Sequence, residues 1–379
     1  MSPASCPEPA RGEPAESAER TPRLLIIRRR YLGDIVLLGS VIRNLRLHWP
    51  LARLTALIEE PYAGVLPLNP DVDATLMLPR TTGGWWRLLR ALRTGRFTHV
   101  FDFDNTDKTA LLARLTGAPF RATLHLENVR RHFPALYTAT VFVSSPDYSA
   151  QSITETYLRL LKPAGVPVVT RAVRLVPREA DLAFARGLLA EKRETPSLSE
   201  AEGRHPAKPK TLLVHPGSRS SCRLWPLERF AAVCDRVQNE LGAQVFLVGG
   251  PSEQSHVVGI KQHARTPPVS IDAPLSVPLF TALAAQVDLL LCHDSGPMHI
   301  AAAVGTPVVA LYGSQNATVW RPLGDLHTVL QPPMPCRNCV APDTCVPGDS
   351  YRNYCIRNLG EDQVFAAIRA QLARPAPRR

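Results

Sequence analysis

The 379-residue chain contains no uninterrupted apolar run near the roughly 20 residues that span a bilayer, so no membrane-crossing helix is expected. The first residues carry Glu8, Glu13, Glu16 and Glu19 and lack the apolar centre of an export signal, which makes the cytosol the expected compartment. Glycine is scarce, 22 against 36 prolines, and this excludes a collagen-like repeat. Short-period repeats of other kinds are absent as well. Eight cysteines are too few for a disulfide scaffold in a chain of this length. No recognisable nucleic-acid module surrounds the Arg-rich segments with Trp85 and Trp86, so nucleic acid is not an expected partner. Apolar side chains, in contrast, are plentiful. At 45% hydrophobic and 20% charged residues, the chain is globular and long enough for two domains with sizeable cores. Lys and Arg outnumber Asp and Glu by 44 to 33, a net charge of +11. That balance suits nucleotides, phosphorylated sugars or an acidic membrane face, and suits equally a chain that is merely rich in arginine.

Residues 1–22 are rich in Pro, Ala, Glu and Ser and read as a disordered tail. An apolar strand begins abruptly at Leu24-Leu25-Ile26-Ile27. A helical stretch follows with Val36, Leu37, Val41, Ile42 and Leu45 on one side, ended by Pro50. Further strands are expected at 54–58, 99–103 and 139–143, with a helix at 109–115 between them. A helix at 179–191 and a polar, Pro- and Ser-containing insertion at 194–209 separate this series from a second one. The second series has five expected strands, at 212–214, 245–248, 269–271, 289–291 and 308–311. Strands alternating with helices imply α/β architecture with parallel sheets. The expected division is a first domain at 23–175 and a second at 176–379, facing one another across a cleft. Ligands of such sheets bind beyond the carboxyl ends of the strands, so the loops there hold the candidate chemistry.

Four such loops are notable. Leu32-Gly33-Asp34 lies between a strand and a helix. Asp34 there either caps the helix or projects a carboxylate into the cleft as a general base. Arg28, Arg29 and Arg30 just before it either hold an anionic ligand or form a solvated basic edge. His215-Pro216-Gly217-Ser218 follows the first strand of the second series, with Arg219 and Arg223 close behind. A Gly/Ser turn with nearby arginines suits a phosphate. Gly249-Gly250-Pro251-Ser252-Glu253 ends the next strand, and Glu253 is either a sugar-hydroxyl acceptor or a first-turn helix acid. His293-Asp294-Ser295-Gly296-Pro297-Met298-His299 opens a helix at which Ser295 fits an N-cap, Pro297 an early turn and Gly305 a C-terminal stop. A helix start of this kind is a diphosphate site, with Asp294 placed for sugar hydroxyls. Asp102-Phe103-Asp104 has the look of an Asp-x-Asp metal motif, but in a continuing strand its two acids would point to opposite faces.

Together these motifs resemble glycosyltransferase family 9, the lipopolysaccharide heptosyltransferases. The matching residues are Ile26-Ile27-Arg28 with Leu32-Gly33-Asp34-Ile35-Val36-Leu37, then Asn69-Pro70 with Val72-Asp73, His215-Pro216-Gly217-Ser218, and Trp225-Pro226 with Arg229-Phe230. Gly249-Gly250-Pro251 with Glu253, Asp294 to His299 with Ala301-Ala302, Gly305-Thr306-Pro307 and Leu311-Tyr312-Gly313 complete the match, which extends over about residues 24–370. The resemblance implies a GT-B fold, two Rossmann-like domains with parallel sheets facing across a cleft. It also implies inverting, metal-independent heptose transfer from ADP-heptose to the lipopolysaccharide inner core, on Kdo-lipid A or heptosyl-Kdo-lipid A. By position, Asp34 matches the family's general base. Arg223 matches a basic residue on the leaving diphosphate, where relatives often carry Lys, so the charge is kept and its geometry changed. Ser218, Glu253, Asp294, Ser295, Gly296 and His299 fall in the donor site, and Arg28 and Arg30 on the acceptor side. The implied partners are the donor, an anionic lipid-linked saccharide and the cytoplasmic face of the inner membrane, met peripherally.

The same fold would also serve a transferase or epimerase acting on another nucleotide-sugar, or a degenerate relative that only binds nucleotide. An epimerase needs further acid/base groups that are not assignable here, and retention of Asp34 and Asp294 argues for catalysis. No cofactor is required by the implied chemistry. Cys336, Cys339, Cys345 and Cys355, in a Cys-rich loop at 336–355, read either as a structural zinc site of unusual spacing or as reduced thiols packed in a loop.

Overall fold

The computed structural model describes residues 21–130, 132–192, 209–220, 223–333 and 355–375. Its first half comprises β1 (Arg23–Ile27), α1 (Leu32–Leu37), α2 (Gly39–His48), β2 (Arg53–Glu59), β3 (Ala74–Leu78), α3 (Thr82–Thr94), β4 (His99–Asp102), α4 (Asp107–Leu115), β5 (Phe120–Leu126), β6 (Ala139–Val143), α5 (Ser145–Ala150) and α6 (Ile153–Leu158). After α7 (Glu179–Glu191), the second half runs β7 (Thr211–His215), α8 (Leu227–Leu241), β8 (Gln244–Leu247), α9 (Gln254–His263), β9 (Val269–Ser270), α10 (Val277–Ala284), β10 (Leu289–His293), α11 (Gly296–Ala303), β11 (Val308–Leu311), α12 (Ala317–Trp320), β12 (Thr328–Leu330) and α13 (Glu361–Leu372).

The two halves repeat one topology. Each holds a six-stranded sheet, in the order β3-β2-β1-β4-β5-β6 and β12-β11-β10-β7-β8-β9. Every strand pair is parallel. Parallel strands covered on both faces read as continuous apolar runs, which is why Leu24 to Ile27 and Leu289 to Cys292 are almost wholly buried. In each sheet the strand order reverses between the first and fourth strands, β1/β4 and β7/β10, and there the loops after adjacent strands diverge to leave a crevice. The four chemistry-bearing loops lie at the ends of β1, β7, β8 and β10, and Asp102-Phe103-Asp104 lies at the end of β4.

Three strands were not expected from the sequence. β3 and β12 lie at sheet edges with most residues only half-buried, and β5 is interrupted by Arg121 and His125, so none presents a clean apolar run. The second sheet therefore has six strands where five were expected. The single helix expected after β1 is two helices, broken at Leu38.

An apolar cluster joins the halves behind the crevice: Ile35 and Val36 of α1 and Val65 and Leu66 of the 3-10 segment after β2 pack with Leu279 and Phe280 of α10 and Met298 and Ala301 of α11. Burial of such side chains stabilises by about 1.5–3 kcal/mol each. Among the described residues no helix is long and apolar enough to cross a membrane.

Candidate active site

Asp34 is the third residue of α1, with 6% of its surface exposed. Its Oδ1 accepts from the Arg28 guanidinium and from the Tyr157 hydroxyl, the latter at 2.5 Å. Among the described residues its Oδ2 receives only the Tyr31 amide, at 3.4 Å. The capping role anticipated for this acid is thus a single long bond, while two strong donors fix the opposite oxygen. Burial drives the Tyr157 hydroxyl well above its ordinary range; Arg28 opposes this and Asp34 adds to it, so Tyr157 remains a donor. Arg28 also donates to the Phe103 carbonyl at 2.8 Å and lies 3.4 Å from Asp104. Arg29 bonds Asp104 at 2.7 Å and Glu59 at 3.3 Å. Arg30 is exposed, with its guanidinium 5.7 Å from the Tyr31 ring, and lines no part of the cleft.

On the opposite wall, His293 holds the loops together. Burial pushes its imidazole down to about 3, so it is neutral. Its Nε2 accepts the Trp225 amide at 2.9 Å and its Nδ1 donates to the Gly217 carbonyl at 3.3 Å. That pair fixes the turn after β7 and the Trp225 segment to the end of β10. Glu253 folds back over Gly217, in the space a β-carbon there would occupy. It accepts the Gly250 amide at 2.8 Å and lies 3.2 Å from His215 Nε2. Burial would raise its pKa, but the bond and charge of His215 and the Gly250 amide prevail, and it sits at about 2.

Asp294 pairs with Arg223 Nη1 at 3.3 Å. Burial pushes Asp294 up to about 6, against Arg223 and with help from the negative charge of Asp34 across the cleft. The Nε of Arg223 is buried and has no partner among the described residues. Ser295 occupies the N-cap of α11, yet its hydroxyl donates back to the His293 carbonyl at 3.2 Å, and the first turn of the helix opens onto the cleft. Burial lowers His299 to about 4, leaving it neutral against Gly33.

These groups line one cleft of about 530 Å³. Arg28, Asp34, Ser218, Arg223, Glu253, Asp294, Ser295, Gly296 and His299 all face it, while Arg29 and Arg30 lie outside it. Leu32, Gly33, His215, Gly217 and Pro297 of the same loops also line it, and Tyr31, Tyr62, Arg219, Gln315 and Trp320 complete the lining. Four of these five did not stand out in the sequence, because isolated Tyr, Gln and Trp residues carry no spacing signal. The Arg219 guanidinium lies 3.6 Å over the Tyr31 ring, a cation–π contact between the halves. Tyr157, from α6, is remote in sequence from every motif and likewise gave no signal.

Asp102 and Asp104 part company where β4 ends. Asp102 accepts the Tyr137 hydroxyl at 2.6 Å and the Asp104 and Asn105 amides at 2.9 and 3.2 Å, and its burial raises it to about 6. Asp104 faces Arg28 and Arg29. Among the described residues no group of three His, Cys, Asp or Glu is placed to hold a metal ion. Of the four clustered cysteines, Cys336, Cys339 and Cys345 lie outside the described residues; Cys355 is buried, its Sγ in the space beside Gly313.

Two six-stranded parallel sheets of one topology, with a charged cleft at their switch points, define a GT-B-like protein. The chain belongs to glycosyltransferase family 9 (heptosyltransferase), whose model matches residues 85–346. It is 26% identical over 304 residues to lipopolysaccharide heptosyltransferase 3 of Escherichia coli K12, covering 77% of this chain and 83% of that one. The crystal structure of a family 9 glycosyl transferase from Veillonella parvula superposes with a TM-score of 0.76 at 22% identity, over 93% of this chain and 97% of that one. For the E. coli ADP-heptose lipopolysaccharide heptosyltransferase II the values are 0.72 and 19%, over 92% and 98%. Those two likenesses concern the fold.

Proposed function

We propose that this protein transfers heptose from ADP-heptose to the lipopolysaccharide inner core, on Kdo-lipid A or heptosyl-Kdo-lipid A, with inversion and without a metal ion. The observation that carries the reading is the pairing across one cleft of Asp34, from the first half, with Arg223, Asp294 and the open start of α11, from the second. Asp34 Oδ2 takes the proton from an acceptor hydroxyl as its oxygen attacks the anomeric carbon. The new C–O bond forms opposite the bond to the diphosphate, which breaks with its electron pair leaving on ADP. Arg223, Arg219 and the first turn of α11 neutralise that growing negative charge. Asp294 takes hydroxyls of the donor sugar, and the proton on Asp34 later returns to solvent.

Membrane contact fits the surface of the first half. From Ala74 to Phe101 there is no acidic residue, while Arg80, Arg87, Arg90, Arg93 and Arg96 are all exposed. Trp86 on the same helix, α3, is 73% exposed. Exposed Leu111 and Leu115 lie on α4, which packs beside α3. An arginine and tryptophan face of this kind suits an anionic bilayer surface, met peripherally from the cytoplasmic side.

The test is equilibrium binding of ADP, UDP, GDP and CMP, followed by transfer from ADP-heptose read by mass spectrometry. Preference for ADP, and product formation that persists in EDTA, are expected. Preference for another nucleotide discards heptose and favours the other nucleotide-sugar enzymes. Asp34→Asn is expected to abolish transfer while ADP binding persists; unchanged turnover would remove Asp34 as the base.

A further inference from the structure

A second cavity of about 180 Å³ adjoins the cleft on the side of the first half and shares Arg28, Asp34 and Trp320 with it. At about 30 Å³ per water molecule, that is room for roughly six waters, the scale of one sugar ring. Four of its walls are aromatic: Phe103, Tyr148, Tyr157 and Trp320. Asn105 and Thr156 supply polar atoms. The hydroxyl of Tyr148 has no hydrogen bond among the described residues.

The slot carries a net negative charge. Its charged lining residues are Arg28, Asp34 and Asp104, one positive and two negative, a sum of −1. Including Arg29 and its second partner Glu59 leaves the sum at −1. Arg28 is bound on three sides, by Asp34, Asp104 and the Phe103 carbonyl. An acidic sugar seated here would meet aromatic faces and an excess of carboxylate, and its own charge would be buried without a partner. A neutral pyranose meets the reverse: its C–H faces cover aromatic rings, and its hydroxyls reach Asp34 and Tyr148.

We propose that this slot seats a neutral pyranose, the acceptor residue whose hydroxyl is presented to Asp34, and that acidic parts of the acceptor remain outside it. This rests on the transferase reading above and deepens it: heptose is added to a neutral sugar, not to an ulosonic acid.

Saturation-transfer NMR on the full chain tests the slot without the donor, using a methyl α-heptopyranoside and the methyl glycoside of Kdo as probes. The heptoside is expected to give a signal that falls at least fivefold in Tyr148→Ala, with ADP affinity retained as the control for folding. The Kdo glycoside is expected to give none. Equal signals from both probes, or a heptoside signal untouched in Tyr148→Ala, would overturn the proposal. In the transfer assay, a heptose-terminated acceptor is expected to exceed a Kdo-terminated one at least tenfold in kcat/KM; the opposite order overturns it. Leu126→Arg, which puts a cation in the wall, is expected to narrow or reverse that ratio. Heptoside binding that persists without turnover of ADP-heptose would count against the transferase reading and leave the slot supported. Transfer favouring the acidic acceptor would do the opposite.

Discussion

Two strong donors fall on one oxygen of Asp34, and the other oxygen is left almost alone. Such a carboxylate is held in one rotamer with a lone pair directed at the cleft, which is what a general base needs. Tyr157 acts here through Asp34 and is a positioning residue. Its bond to a charged group is worth about 1.5–3 kcal/mol. Tyr157→Phe is therefore expected to lower kcat roughly 10- to 100-fold with KM for ADP-heptose almost unchanged, as steady-state kinetics will show. A purely structural Tyr157 would instead lower stability and leave kcat of the folded enzyme intact. His293 offers a test by pH. Its folded pKa of about 3 lies below the ordinary 6.5, so between those values the unfolded chain holds a proton that the native protein lacks. Stability from this group is present above pH 6.5 and is lost as pH falls toward 3, by about 1.4 kcal/mol per pH unit. His299 acts in the same direction down to about 4. Asp102 and Asp294, raised to about 6, act oppositely, losing stability as pH rises through that value. Urea midpoints of wild type and His293→Asn from pH 4 to 7 are expected to differ in slope by about one proton, the variant being flatter in acid.

The elements that matter most are α1 and α11, which meet start to start across the cleft. A β-carbon on Gly33 would lie 2.8 Å from His299 Cδ2, and one on Gly296 would lie 3.0 Å from Leu32 Cβ. Close approach thus leaves no room for a β-carbon at Gly33 unless His299 shifts, and at Gly296 Leu32 would have to give by a few tenths of an ångström; their contact holds Asp34 opposite Asp294. Overpacking of this kind costs about 1–3 kcal/mol. Gly33→Ala is expected to destabilise by that amount in urea unfolding and to lower transfer. Adding His299→Ala, which removes the colliding ring, is expected to restore part of the lost stability; no recovery would show that the contact does not set the approach.

At the scale of the molecule, charge is distributed unevenly. The acid-free stretch from Ala74 to Phe101 exposes its arginines on and around α3, away from the apolar cluster that joins the halves. Each basic residue near an anionic bilayer contributes about 1 kcal/mol. Changing Arg87, Arg90 and Arg93 together to Ser is expected to weaken binding to vesicles of phosphatidylglycerol roughly 100-fold, and salt is expected to weaken the wild type similarly. Transfer to a detergent-free, water-soluble acceptor should be unaffected. Binding by the triple variant equal to wild type would remove this face as the docking surface.

Much of this was legible in the chain because parallel strands buried on both faces are continuous apolar runs, and because turns at their carboxyl ends need particular residues. Leu24 to Ile27, Leu289 to Cys292 and the Gly-, Ser- and Pro-containing loops after them are local facts, and they carried the fold and most of the candidate site. Edge strands such as β3 and β12 were not legible, since a half-exposed strand of three to five residues has no distinctive pattern. The partners of each functional group depended wholly on tertiary structure. Asp34 and Tyr157 are 123 residues apart, and Arg223 and Asp294 are 71 apart. Whether Arg28 meets a ligand or a carboxylate, and whether Arg30 faces the cleft or solvent, follows from how strand ends diverge at a switch point. Sequence determined which residues stand at the strand ends, because backbone propensity and burial are local. Only the folded chain decided which of them meet, because hydrogen bonds and charge pairs act over a few ångströms of space and not along the sequence.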